Sequence, residues 1–158
     1  MTSGCSNQTL QNDKAQLLVV DPQHFHASLV QKYAHPQIES VVHLFAENEQ
    51  DAAGYAQSIT QFNTRKESPS NWQIISYYGA DFLQQAFVKQ LGNLVILAGD
   101  NSKKVTYMKH AAEHAVDVFA DKPLVIDKNG YLELEKLLSQ KVGLIYDIMT
   151  ERYDAKNQ

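Results

Sequence analysis

The stretch from Asn93 to Asp127, NLVILAGDNSKKVTYMKHAAEHAVDVFADKPLVID, constrains the chain more than any other. An apolar run, Leu94 to Ala98, ends in Gly99-Asp100-Asn101. A helix-period segment follows from Lys103 to His114, and a second apolar run, Val116 to Ala120, meets Asp121-Lys122-Pro123. Short apolar runs joined by a helical segment of this length make a parallel crossover unit. Strands that are apolar without alternation are buried on both faces, as in parallel sheets. In open parallel sheets the ligand sits beyond the carboxyl ends of the strands. Function is therefore expected at Gly99, Asp100 and Asn101 and at Asp121, Lys122 and Pro123.

The rest of the chain repeats the alternation. Strands are predicted at Gln16 to Val20, Val41 to Ala46, Trp72 to Tyr77 and Val142 to Ile148. Helices are predicted at Gln23 to Tyr33, Asp51 to Phe62, from Gly79-Ala80-Asp81 to Gln90, and at Tyr131 to Gln140, after a turn at Asp127-Lys128-Asn129-Gly130. Asn63 to Ser70 reads as a loop. The expected fold is α/β: a doubly wound parallel sheet of about six strands with helices on both faces. Right-handed crossovers and short connections favour the Rossmann-like order 3-2-1-4-5-6, with a flavodoxin-like order as the alternative. Residues 1 to 15 read as a disordered tether, 16 to 149 as the folded domain and 150 to 158 as a connection onward.

Composition narrows the function classes. A net charge of −4, with no run of Lys and Arg longer than two, argues against a nucleic-acid partner. No stretch approaches the ~20 apolar residues of a membrane helix. The one cysteine, Cys5, stands in MTSGCSNQ, between small residues and a polar run. That pattern resembles the end of a bacterial lipoprotein signal, which implies export and lipid anchoring at Cys5 in the periplasm or envelope. The alternative is a cytoplasmic chain with an idle thiol.

A dinucleotide cradle after the first strand ordinarily needs glycines, so that backbone can approach the pyrophosphate. Here the loop is Asp21-Pro22-Gln23-His24-Phe25-His26, without glycine. Side chains would crowd the phosphates and Asp21 would repel them. A cofactor fits only with the loop held further back, His24 or His26 donating to phosphate. Glu47, at the end of strand 2, is placed to accept from an adenosine ribose and would disfavour a 2′-phosphate; an exposed loop carboxylate is the plain alternative. His24 and His26 fall short of the three or four ligands of a metal site. His110 and His114, one helical turn apart, could chelate but have no Glu-flanked zincin pattern beside them, so no metal is assigned; a metal-dependent site at His24 and His26 is a further alternative. Lys122 is the residue best placed for chemistry. Its ammonium would hydrogen-bond a substrate hydroxyl and a cofactor ribose and favour hydroxyl deprotonation, with Asp121 orienting it; a solvated Asp-Lys pair in a turn is the plain alternative. Tyr146 and Asp147 end strand 6 on the same edge, with Glu151, Arg152 and Tyr153 just beyond.

With these residues in view, the sequence resembles the N-terminal domain of the Gfo/Idh/MocA family, the glucose-fructose oxidoreductase and inositol dehydrogenase group. Phe119-Ala120-Asp121-Lys122-Pro123-Leu124 is similar to that family's Glu-Lys-Pro motif, with Asp for Glu. Val20 to Ala27, Phe62 to Arg65, Ala120 to Pro123 and Tyr146 to Tyr153 resemble a subgroup of oxidoreductases with lipoprotein-like signals. The resemblance implies NAD or NADP as cofactor and a sugar, cyclitol or related polyol as substrate. It implies that Lys122 touches substrate and nicotinamide ribose and that Lys122–Pro123 is cis. The residues read from their positions at the strand ends as cofactor-binding candidates are Asp21, His24, His26, Glu47, Gly99, Asn101, Lys122 and Pro123. The resemblance also implies a second domain that carries most of the substrate pocket and the homo-oligomer contacts, so that residues 1 to 158 would be a fragment. The glycine-free loop motivates a competing expectation: a non-catalytic binding or scaffold module of the envelope that has lost nucleotide binding.

Overall fold

The structure, a computed structural model, describes residues 14–140 and 143–148. Expectations placed on Cys5 and residues 1–13 of the N-terminal tether, on Val142, and on Glu151 to Tyr153 lie outside these residues; Ala15, counted with the tether, is the first residue of the first strand.

Six parallel strands form one sheet in the order β3-β2-β1-β4-β5-β6. They are β1 (Ala15–Val20), β2 (Ile38–Ala46), β3 (Gln73–Tyr78), β4 (Leu94–Leu97), β5 (Asp117–Asp121) and β6 (Ile145–Ile148). Between them lie helices α1 (His26–Leu29), α2 (Glu49–Thr64), α3 (Phe82–Val88), α4 (Lys104–Glu113) and α5 (Lys128–Ser139). The expected fold class and strand order are what the chain adopts. β1 sits centrally, with Leu18 beside His43 of β2 and Val95 of β4. The order reverses between β1 and β4, and this opens the crevice used by ligands in such sheets.

Side chains alternate faces along each strand and so separate two cores. Leu18, Val20, Val95, Leu97, Val118 and Ala120 pack beneath α3, α4 and α5 with Phe87, Met108 and Leu137. Leu17, Val19, Val42, Leu44 and Ile96 pack beneath α1 and α2 with Ala27, Tyr55 and Ile59. Among the described residues no helix is long and apolar enough to cross a bilayer.

Two local expectations are corrected. The first helix covers four residues, His26–Leu29, rather than Gln23 to Tyr33. Beyond it the amides of Gln31 and Lys32 donate three residues back, to Ser28 and Leu29. The carbonyl of Gln31 accepts the Trp72 indole at 2.7 Å, and that of Lys32 accepts Arg65. Tertiary partners thus take the groups that would have continued the helix. At the other end of the chain, the expected turn at Asp127 to Gly130 is the capped start of α5. Asp127 accepts from the amide of Gly130 at 2.7 Å, as an N-cap side chain does.

Candidate functional site

The carboxyl ends of β1, β4 and β5 lie on one rim. The loop after β1 crosses the β1/β4 crevice and is tied to its far wall, where the amide of His24 donates to the carbonyl of Ala98 at 2.9 Å. The approach is closer still at Gly99. A Cβ there would stand 1.9 Å from the carbonyl oxygen of Asp21, so only glycine fits. Asp21 itself has φ +51°, a left-handed conformation that Asp tolerates better than most residues. Its buried carboxylate accepts the Tyr107 hydroxyl at 3.0 Å and the Gln23 side-chain amide at 2.8 Å. Burial, reinforced by the Asp21 charge, pushes the Tyr107 phenol well above the ordinary tyrosine range.

His24 and His26 reach over the end of β4 to Asp121 at the end of β5. His26 Nδ1 donates to Asp121 Oδ1 at 2.9 Å, and His24 Nδ1 stands 3.1 Å from Oδ2. The amide of Lys122 donates to the same Oδ1 at 2.8 Å. Asp121 and His26 are buried, while His24 is half-exposed. Among the contacts described, Asp121 therefore anchors the first loop and receives the backbone amide, rather than the ammonium, of its lysine neighbour.

The lysine-proline corner is held by a residue the sequence reading passed over. Lys104, in the first turn of α4, is 1% exposed. Its ammonium donates to Asn101 Oδ1 at 2.7 Å and to the carbonyls of Asp121 at 2.6 Å and Pro123 at 2.8 Å. The two carbonyls flank the Lys122–Pro123 bond, which is cis, as the resemblance implied. Burial holds the Lys104 ammonium below the ordinary lysine value, with the Asp121 charge opposing that fall. A signal was present: Lys104, Tyr107, Met108, Ala111 and Ala112 form one buried stripe at helical spacing. A lysine on the first rung of such a stripe needs acceptors that only the interior supplies.

His24, Phe25, His26, Gly99, Asn101, Asp121 and Lys122 line one pocket of about 390 Å³. A second pocket of about 410 Å³ lies on the α2 side, lined by Pro22, Gln23, His24, Phe25 and residues of α2. The rim thus brings together His24, His26, Gly99, Asn101, Asp121 and Lys122. Asp21 lies beneath it, Pro123 contributes a carbonyl to its support, and exposed Glu47 follows β2 outside both pockets. Asp147 and Tyr146 stand on β6, beside Ala120 and Phe119 of β5.

Whether a dinucleotide pyrophosphate fits is decided by the first loop. The amide of Gln23 is engaged by Asp21, that of His24 by Ala98, and the Asp21 carboxylate lies underneath. His24 and Phe25, with ring centroids 4.6 Å apart, belong to both pockets and stand between them. In this arrangement the loop does not form the backbone cradle that a pyrophosphate takes.

No protein-family model and no curated protein matches the chain. Among solved structures it is similar to a protein from Parabacteroides merdae ATCC 43184 provisionally assigned as an oxidoreductase. The two share 38% identity at a TM-score of 0.87, over 91% of this chain and 34% of that one. Myo-inositol 2-dehydrogenase from Lactobacillus plantarum is similar at 12% identity and a TM-score of 0.63, over 90% of this chain and 38% of the enzyme. Biliverdin reductase from Synechocystis sp. PCC 6803, solved with biliverdin and NADP+, is similar at 13% identity and a TM-score of 0.62, over 84% and 37%. The last two likenesses are of fold alone. The chain spans roughly a third of the length of these proteins, and over that third it shares their Rossmann-like fold.

Proposed function

We propose that the chain is the Rossmann-like part of a longer NAD(P)-dependent oxidoreductase of the Gfo/Idh/MocA kind, acting on a sugar, cyclitol or related polyol. The observation that carries this reading is the rim pocket, which gathers Lys122, Asn101 and Gly99 from the ends of β4 and β5. Likeness to an oxidoreductase over nearly the whole chain supports it. In this reading the Lys122 ammonium binds a substrate hydroxyl and lowers the cost of its deprotonation. Asn101, fixed by Lys104, offers its amide to the same pocket. The remainder of the substrate site and the oligomer contacts belong to a further domain. Anchoring at Cys5 would place the protein at the cell envelope.

The first loop favours a second reading, in which the fold has lost its nucleotide and serves as a binding module. Thermal unfolding with and without millimolar NAD(H) and NADP(H) separates the two. A ligand at 100 times its Kd adds about 2.7 kcal/mol, on the order of 5–10 °C for a domain of this size. The oxidoreductase reading expects such a rise, lost in a variant with a bulky residue in the rim pocket, Asn101→Trp. No rise with any of the four nucleotides leaves the binding-module reading standing.

A further inference from the structure

The carboxylate of Asp121 is approached by the same nitrogen of two imidazoles, one at each oxygen. One histidine would suffice to anchor the loop, and buried His26 already does so. The half-exposed His24 adds nothing that the bond from its backbone amide to Ala98 does not supply. What it adds is a third donor atom at the same point. His24, His26 and Asp121 each offer one ligand atom, and the three lie within 4.8 Å of one another.

We propose that these three residues form a site for a divalent first-row transition-metal ion, with zinc the ion its donors suit best. Two imidazole nitrogens and one carboxylate oxygen are the set used by open, three-ligand sites of such ions. With metal–ligand bonds of about 2.0–2.1 Å, adjacent donors stand about 2.9 Å apart in octahedral and about 3.4 Å apart in tetrahedral geometry. The nitrogen–oxygen spacings of 2.9 and 3.1 Å run to opposite oxygens of Asp121, and the three donor atoms lie within 4.8 Å of one another, so a bound ion draws the half-exposed His24 and one shared oxygen inward to reach either geometry. On metal binding each imidazole gives up to solvent the Nδ1 proton it shares with Asp121, carries its one remaining or solvent-supplied proton on Nε2, and presents the Nδ1 lone pair. The rigid sheet holds Asp121 at the end of β5, and the tie from His24 to Ala98 holds the loop.

Charge decides which ions can compete. Two neutral imidazoles and one carboxylate leave a bound dication with net positive charge. The Lys104 ammonium lies close by, on the Asp121 backbone carbonyl, and Lys122 is adjacent in the chain. Calcium or magnesium, which need several anionic or carbonyl oxygens, would be poorly held. Zinc and its neighbours draw affinity from imidazole and tolerate the shortfall. All three ligands line the pocket that also holds Lys122 and Asn101, so the remaining coordination positions face it. Water or an oxygen of a small hydroxylated ligand would complete the shell there.

This site stands whether or not a nucleotide binds, and its test contains none. The chain carrying Cys5→Ser, which removes the only thiol, is freed of metal by a chelator. It is then titrated with zinc by calorimetry and with cobalt by visible absorption. One equivalent of each ion is expected, with ligand-field bands for cobalt. Asp121→Asn, His26→Gln and His24→Gln should each weaken binding by at least the ~10-fold that losing even an outer partner costs. His114→Gln, at the C-cap of α4 away from the rim, should leave it unchanged. Because Asp121 and His26 are buried, the half-exposed His24→Gln is the decisive variant, its fold checked by circular dichroism. Absence of saturable binding in the parent chain overturns the site, as does affinity unchanged in a folded His24→Gln protein.

Discussion

Two corners of one rim are built in opposite ways. The corner after β1 is held by contact. Gly99 lies against the Asp21 carbonyl with no room for a methyl group, and the His24 amide reaches Ala98. The corner after β5 is held by charge, because one buried ammonium, Lys104, donates to three oxygens around Lys122–Pro123. Asp121 belongs to both, since its side chain holds the first loop while its carbonyl receives Lys104. The difference teaches where each corner can change. A contact corner fails on added volume and tolerates lost polarity. A charged corner tolerates changes of shape at the surface and fails when its donor is removed.

Added volume should give the largest effect. In Gly99→Ala the new methyl carbon meets backbone rather than a movable side chain. Relief requires the first loop and the end of β4 to separate. A loss of ~3 kcal/mol is expected, the upper end of overpacking costs. Urea unfolding measures it, and a loss below about 1 kcal/mol would mean that the loop sits further from β4 than described.

Removing the donor comes next. Lys104→Met keeps the length of the side chain and leaves three oxygens without their shared partner. Unmade buried hydrogen bonds cost more than desolvating the lysine returns, and a net loss of about 2 kcal/mol is expected at neutral pH. The pH dependence then distinguishes a buried charge from a mere filler. Burial sets the folded Lys104 value below 10.5. Between the lowered value and 10.5 the unfolded chain binds more protons than the folded one. Stability of the parent therefore rises with pH across that window, relative to Lys104→Met. The gap between the two proteins should widen as pH rises from neutral to about 10. A gap that narrows would show that folding favours the ammonium, contrary to its burial.

The corners also differ in what the sequence revealed. The apolar runs of β4 and β5, the helix between them and Asp121-Lys122-Pro123 announced a crossover unit and its rim by pattern alone. Strand order followed from crossover handedness. Lys104 escaped because a lysine beside Lys103 reads as a solvated pair, and only the stripe through Tyr107, Met108 and Ala111 marks it as interior. The first loop was legible as an absence of glycine but not as a closure. Its contacts to Ala98, Gly99 and Asp121 lie about 75 to 100 residues away in sequence, where local pattern carries no information. For the same reason His24 and His26 read as two ligands with no third. The shortened first helix is a tertiary override of a sound local period, imposed by Trp72 and Arg65.

Asp21 offers the finest division between contact and charge. Its carboxylate is buried beside a tyrosine, yet its conformation is what the loop needs first. Asn shares the tolerance for positive φ and keeps an oxygen to accept the Tyr107 hydroxyl. Asp21→Asn should therefore stay within about 0.5 kcal/mol of the parent. Asp21→Ala loses the acceptor and places a Cβ residue at φ +51° with no local compensation, for a cost of about 1 kcal/mol. Paired chemical-denaturation curves separate the two variants. If Asn costs as much as Ala, the negative charge itself is needed beneath the loop. The first corner would then be an electrostatic device like the second, and the contrast between them would fail.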